Sequence, residues 1–166
     1  MITGKTRVIA HLGYPTEAFK ASMIYNPWFE SKGIDAVVVP PGVKAEDYPE
    51  VLPAVFRITN LHGALVTMPH KVTTARLTDE LTTTAKIAGA ANALRRRADG
   101  SLLGDIFDGT GFVRGVERKR RMVAGARCLV VGCGGVGSAT AVSLAAAGLS
   151  VIGLVRSRTR VGRGAG

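Results

Sequence analysis

The sequence predicts an α/β fold: an N-terminal unit of βαβ repeats followed by the first part of a second α/β unit. Three observations predict it. Short apolar runs of strand length alternate with longer amphipathic stretches of helix length over residues 7–81. Turn residues close most of the apolar runs, at Gly13-Tyr14-Pro15, at Pro40-Pro41-Gly42 and at Pro69. After Ala124-Gly125-Ala126 the pattern restarts as strand, glycine-rich turn, helix and strand. Such alternation is the signature of a largely parallel sheet with right-handed crossovers.

The elements follow in order. Residues 7–12 form a first strand, with Val8, Ile9 and Ala10 at its centre. Residues 18–32 form a helix with Phe19, Met23 and Phe29 on its apolar face. Pro27 sits inside that pattern and is expected to kink or restart it, and Gly33 stops it. Residues 36–39 are the second strand, all Ala and Val. Residues 48–58 form a helix whose Leu52, Val55 and Phe56 share one side, with Pro53 as a defect. The third strand, 64–67, ends at Pro69, which has no N–H for a ladder bond. A helix over 72–81 comes next, then a turn into a strand over 89–94, and a hairpin-like turn over 98–101. A glycine-rich segment over 104–112 carries Asp105 and Asp108 and leads into a basic helix over 113–122. The second unit has a strand at 128–131, a helix at 138–147 capped by Gly148, and a strand at 151–155. The domain division expected is 1–122 and 123–166.

Composition bounds the function. The chain has 166 residues, 46% of them hydrophobic, enough for a true core. No apolar run reaches the length of a membrane span, and the N-terminus lacks a signal-peptide pattern. A cytoplasmic protein with no membrane partner is expected. Cys128 and Cys133 form no CxxC and join no other ligand cluster, so they are expected to be reduced and structural, with no metal site. The net charge is +10, from 22 Lys and Arg against 12 Asp and Glu. The basic residues crowd at Arg95-Arg96-Arg97, at Arg118-Lys119-Arg120-Arg121 and beyond Arg156, without interleaved aromatics or a helix-turn-helix or zinc pattern. This argues for solvated faces, a basic tail and a site for an anionic cofactor rather than for nucleic acid.

Two stretches carry chemistry. In Gly63-Ala64-Leu65-Val66-Thr67-Met68-Pro69-His70-Lys71, ionisable residues follow the end of a buried strand, where open α/β sheets place their sites. Lys71 is therefore a candidate catalytic residue, although a lysine taken at random is a surface lysine. In Gly132-Cys133-Gly134-Gly135-Val136-Gly137, a GxGxxG turn lies between strand and helix, the context that makes this weak motif meaningful. Gly132 permits the tight turn, Gly134 lets the backbone approach a pyrophosphate, and Gly137 allows close helix packing. Gly135 and Val136 complete the phosphate-binding turn at the helix N-terminus. No Asp or Glu follows Glu117, so the acid that binds the ribose of NAD is missing. Arg156 and Arg158 stand in that region and suit the 2′-phosphate of NADP, with NAD as second choice. The tail beyond has no apolar periodicity. The chain is expected to be truncated or frame-shifted near Val155, leaving a partial Rossmann dinucleotide-binding domain.

Over residues 6–155 the sequence resembles the shikimate dehydrogenases. Val66-Thr67-Met68-Pro69-His70-Lys71 resembles that family's substrate-domain signature, with Lys71 at its catalytic lysine. Gly89-Ala90-Ala91-Asn92 is similar to the family's Gly-Ala-x-Asn-Thr turn, with Asn92 at a substrate-binding asparagine. Gly104-Asp105-Ile106-Phe107-Asp108-Gly109-Thr110-Gly111-Phe112 is similar to Gly-x-Asn-Thr-Asp-Gly-x-Gly-Phe, with Asp108 at the catalytic aspartate. Without the motif, Asp108 would be a helix N-cap. The resemblance implies a substrate-binding domain followed by a Rossmann domain, and reversible NADP-dependent reduction of 3-dehydroshikimate. Lys71 and Asp108 would be the acid–base pair; Thr67 and Asn92 would bind substrate hydroxyls.

Three features depart from the family pattern. Phe19 and Ala21 stand where the family carries two serines that hold the substrate carboxylate, with Lys20 and Ser22 as neighbouring polar residues. Ile106-Phe107 replaces Asn-Thr before Asp108, and the family's C-terminal helices have no counterpart. A related hydroxy acid, polyol or ketone is therefore a second substrate class, and activity is expected to be impaired by truncation. The expected partners are a small hydroxy acid and a second copy in a homodimer. The alternative is a non-catalytic or pseudogene-derived domain that binds a small metabolite.

Overall fold

In a computed structural model, residues 2–119 and 125–155 are described. The first unit starts with strand β1 (Arg7–Leu12), helix α1 (Ala21–Ser31), strand β2 (Ala36–Val39), helix α2 (Tyr48–Val55) and strand β3 (Leu61–Val66). It continues through helix α3 (Lys71–Leu77), strand β4 (Glu80–Leu81), helix α4 (Thr83–Ala88), strands β5 (Ala93–Arg96) and β6 (Leu102–Asp105), and helix α5 (Asp108–Arg118). Strand β7 (Arg127–Val131), helix α6 (Gly135–Ala146) and strand β8 (Ser150–Leu154) follow. The six strands of the first sheet are ordered β2-β1-β3-β5-β6-β4; β7 and β8 form a separate parallel pair.

The alternating apolar runs do become strands, and β1 pairs in parallel with β2 and with β3. The first sheet is nevertheless mixed rather than largely parallel. β5 runs antiparallel to β3 and to β6, and the chain reverses between β5 and β6 at Asp99-Gly100. There Gly100 takes φ +87°, Ser101 N–H donates to Asp99 Oδ1 at 2.9 Å, and Arg97 N–H donates to Ser101 O at 2.9 Å. The result still leaves β3 and β6 pointing the same way, with β5 between them.

Three other differences have local causes. Helix α1 begins at Ala21 rather than 18 and runs through Pro27 as one helix. Its Asn26 amide bonds the edge strand β2 twice, through Val38 N–H at 2.7 Å and Val38 O at 3.1 Å, which satisfies backbone groups that an edge leaves open. In place of a helix over 72–81, α3 ends at Leu77, and β4 and α4 follow. Thr82 caps α4 by accepting from Ala85 N–H, and Gly89 closes it in the left-handed conformation at φ +62°. Helix α5 starts at Asp108, inside the glycine-rich segment that reads as a loop.

The main core lies between the first sheet and α2. Leu12, Leu52, Tyr48, Leu61 and Val66 are almost fully buried there. A second, smaller cluster joins Ala85, Ala88, Ala90 and Ile106 to Ala139 of α6. It fastens the helix of the second unit to α4. The other face of β7 and β8, carrying Leu129, Val131, Ile152 and Leu154, is exposed.

Candidate active site

The candidate site forms at the ends of β3 and β6, which point the same way with β5 between them. Past the end of β3, Thr67 N–H donates to Leu12 O at 2.9 Å and His70 N–H donates to Thr67 O at 3.0 Å. This tight turn delivers Lys71 as the first residue of α3. Before β5, the Gly89–Asn92 turn is pinned by Ala91 N–H to Lys71 O at 2.9 Å and by Asn92 N–H to Asp105 O at 2.9 Å. Past the end of β6, Asp105 Oδ1 accepts from Thr82 Oγ1 at 2.6 Å and from Ile106 N–H at 2.7 Å. Asp105 therefore serves the turn, and Asp108 points into the site.

Lys71 Nζ donates to Asp108 Oδ2 at 2.7 Å, and both side chains are largely buried. Asn92 Nδ2 donates to the same oxygen at 3.1 Å, while Asn92 Oδ1 accepts from Phe107 N–H at 3.0 Å. One amide thus orients the carboxylate and satisfies an N–H at the start of α5. Asp108 is the first residue of that helix, not its cap, and its charge complements the positive helix end. Thr67 is half-buried in the turn that leads to Lys71, with its methyl against Gly13.

The structure divides the two ionisable residues of the Pro69-His70-Lys71 stretch. Only Lys71 belongs to the site. His70 is buried, stacked on Tyr48 at 3.8 Å between ring centroids, with Nε2 bonded to Val43 O at 2.8 Å. Burial holds its imidazole below the usual pKa, partly opposed by the Val43 bond. Tyr48 bonds Thr74 at 2.7 Å, and burial pushes its phenol up to about 12.

The glycine-rich turn lies against this cluster. Gly132 takes φ +93°, and its N–H is tied to Leu154 O at 2.9 Å. A Cβ on Gly137 would collide with the carbonyl of Gly132, so this position needs glycine. A Cβ on Gly134 would meet only open space, which leaves the N-terminus of α6 accessible. Gly135 and Val136 supply first-turn N–H groups without intrahelical partners. These features fit a pyrophosphate at the helix end. Arg156 and Arg158 lie outside the described residues.

Two contacts between the units are not legible from motifs. A Cβ on Gly135 would lie 3.1 Å from Ala90 Cβ and 3.6 Å from Lys71 Cβ. The turn therefore touches the backbone-proximal part of the candidate lysine. Gly109, directly after Asp108, packs so closely on α6 that a Cβ would strike the carbonyl of Ala139 and the hydroxyl of Ser143. The available signal is the run of glycines within a helix-forming segment, which marks close approach as well as loops. Among the described residues, no cluster of His, Cys, Asp and Glu could hold a metal ion, and no helix is long and apolar enough to cross a membrane.

Comparison with known proteins identifies the family. The profile of the shikimate dehydrogenase substrate binding domain matches residues 12–94. A shikimate dehydrogenase (NADP(+)) of Geobacter metallireducens is 37% identical over 152 residues, which are 91% of this chain and 52% of the relative. The chain thus spans about half the length of that curated relative. A crystal structure of a shikimate dehydrogenase in complex with NADP+ superposes with a TM-score of 0.86 at 30% identity, over 95% of this chain and 54% of the other. The Thermus thermophilus enzyme, in complex with NADP(H) and shikimate, gives 0.82 at 28% identity, over 93% and 58%. By the match to its substrate-binding domain, the chain belongs to the shikimate dehydrogenase family.

Proposed function

We propose that the protein is an NADP-dependent oxidoreductase that interconverts a ring ketone and its alcohol, 3-dehydroshikimate and shikimate or a related hydroxy acid. The observation that carries this reading is the Lys71–Asp108 pair at 2.7 Å, lying beside the glycine-rich turn. Residues 1–122 would hold the substrate and the acid–base pair, and 123–166 the first part of the dinucleotide site.

The bound cofactor supplies and accepts the hydride. Negative charge develops on the carbonyl oxygen as the ketone is reduced. The Lys71 ammonium stabilises that charge and donates the proton at Nζ. Asp108 keeps the ammonium oriented, and Asn92 holds the Asp108 carboxylate in place. Thr67 and the second amide hydrogen of Asn92 offer neutral hydrogen bonds to substrate hydroxyls. Gly132, Gly134, Gly135, Val136 and Gly137 hold the pyrophosphate, and Arg156 and Arg158 are assigned to the 2′-phosphate.

Turnover by the 166-residue chain is expected to be weak, because the described part of the second unit has two strands. Grafting the remaining second-unit sequence of the Geobacter relative after residue 155 should raise it. The test is NADP(H) absorbance with shikimate, quinate and 3-dehydroshikimate on both proteins. Turnover that drops about 10²–10⁴-fold in Lys71→Met supports the reading. Binding of these compounds without turnover by either protein would favour the non-catalytic alternative. The reading also includes a homodimer, for which Met23, Ile24 and Trp28 of α1 offer an exposed apolar face; sedimentation equilibrium would measure it.

A further inference from the structure

The loop after β1 builds one wall of the site, and at its centre a ring, a methyl and a glycine face one another. Phe19 packs on His11 with ring centroids 4.2 Å apart, tilted by 34°. A Cβ on Gly13 would lie 2.8 Å from the tip of the Phe19 ring and would also strike the Thr67 methyl. Ring, methyl and glycine therefore crowd one small region directly beside the turn that carries Lys71. The backbone donors there are already used: Thr67 N–H by Leu12 O at 2.9 Å, Tyr14 N–H by Met68 O at 3.0 Å, and Phe19 N–H by Thr16 O at 3.0 Å. His11 is buried beneath the ring, its Nδ1 without a hydrogen-bond partner among the described residues. Burial lowers its pKa, which keeps the imidazole neutral near pH 7. The cation of the cluster, Lys71, is matched by Asp108. A carboxylate set against the Phe19 ring would lose its water and gain neither a donor nor a countercharge from that ring.

We propose that Phe19, packed between His11, Gly13 and Thr67, is the specificity-determining residue of the site and selects a polyhydroxylated ring ketone or alcohol whose substituent at this wall is uncharged. The proposal rests on the oxidoreductase reading for its substrate class and narrows that class. Phe19 acts by excluding charge rather than by touching the reacting carbon. The neighbouring Ala21, first residue of α1, adds no donor.

Binding tests this without turnover. The 166-residue chain is titrated by amide chemical shifts with shikimate and with its uncharged methyl ester. The ester is expected to bind at least about tenfold more tightly than the acid, the scale of a lost hydrogen bond to a charged group. The double variant F19S/A21S should reverse the preference, and F19L, which keeps the wall apolar, should preserve it. Equal or tighter binding of the acid to the unaltered chain would overturn the proposal. So would binding of neither compound at millimolar concentration, or an F19L variant that behaves like F19S/A21S. Ester selectivity with no NADP(H) turnover in the grafted protein would sink the oxidoreductase reading alone. Efficient shikimate turnover with no ester preference would sink the Phe19 proposal alone.

Discussion

The six-stranded region and the β7–α6–β8 region are written in the same sequence code, yet they bury their strands differently. β3 is flanked by β1 and β5, and Leu61, Ala64 and Val66 are almost fully enclosed. β7 and β8 have the same kind of apolar content, but Leu129 and Val131 stay 60% and 73% exposed. The face turned to α6 is covered and the opposite face is not. Parallel strands are stable when both faces are covered. Local pattern therefore fixes what each segment becomes, and the number of neighbouring layers fixes how much each contributes to stability. The candidate site lies where the regions touch, at Gly135 against Lys71 and at Gly109 against α6.

The comparison can be broken most strongly in the first region. Leu52→Ala removes a side chain that is 1% exposed and should cost about 2–5 kcal/mol, read as a fall in the denaturation midpoint. Gly109→Ala attacks the junction. Its added methyl has no room against Ala139 and should cost roughly 1–3 kcal/mol. Hydrogen exchange should then show β7 and β8 losing protection before β1 and β3.

Acid should also act on the first region. His11 and His70 are both held below their ordinary pKa of 6.5, chiefly by burial. The unfolded chain then binds more protons below that pH, so stability is full above about 6.5 and falls as the pH drops through the lowered values. The melting temperature should decline between about pH 7 and 5, and His70→Gln should flatten the decline if its ring is the main contributor. The smallest effect is expected on the open face of the second region. Leu129→Ser and Ile152→Ser should each change stability by no more than about 0.5 kcal/mol. A loss comparable to that of Leu52→Ala would show that this face is covered in solution.

The sequence makes the members of the candidate site legible and leaves their packing hidden. Lys71 can be found as a candidate because it follows the end of a buried strand, whereas Asn92 and Asp108 can be found only through their resemblance to the family's motifs. The glycine-rich turn can be found because strand and helix flank it. His70 shares the signal of Lys71, but its partners Tyr48 and Val43 come from α2 and the loop before it, so only tertiary contact shows that it is a core residue. β4 and α4 escape a sequence reading because the segment between α3 and β5 is rich in Thr and lacks an apolar period. The start of α5 escapes it because glycine at 109 and 111 argues against a helix locally. At 109 the contact with α6 outweighs a propensity cost of about 1 kcal/mol. The hairpin of β5 and β6 is legible in the turn at 98–101, but the antiparallel pairing of β5 with β3 is not, because it depends on the path through α3, β4 and α4.

The central claim is that the two regions form one site, with the cofactor's phosphates on the turn and the reacting carbon beside Lys71. Titration of NADP+ into the labelled chain, followed by amide shifts, tests it most directly. The account predicts saturable shifts at Gly134, Gly135 and Val136 together with Lys71 and Asn92, all abolished by Gly137→Val. Shifts confined to the six-stranded region, or unchanged binding by the Gly137→Val variant, would contradict it.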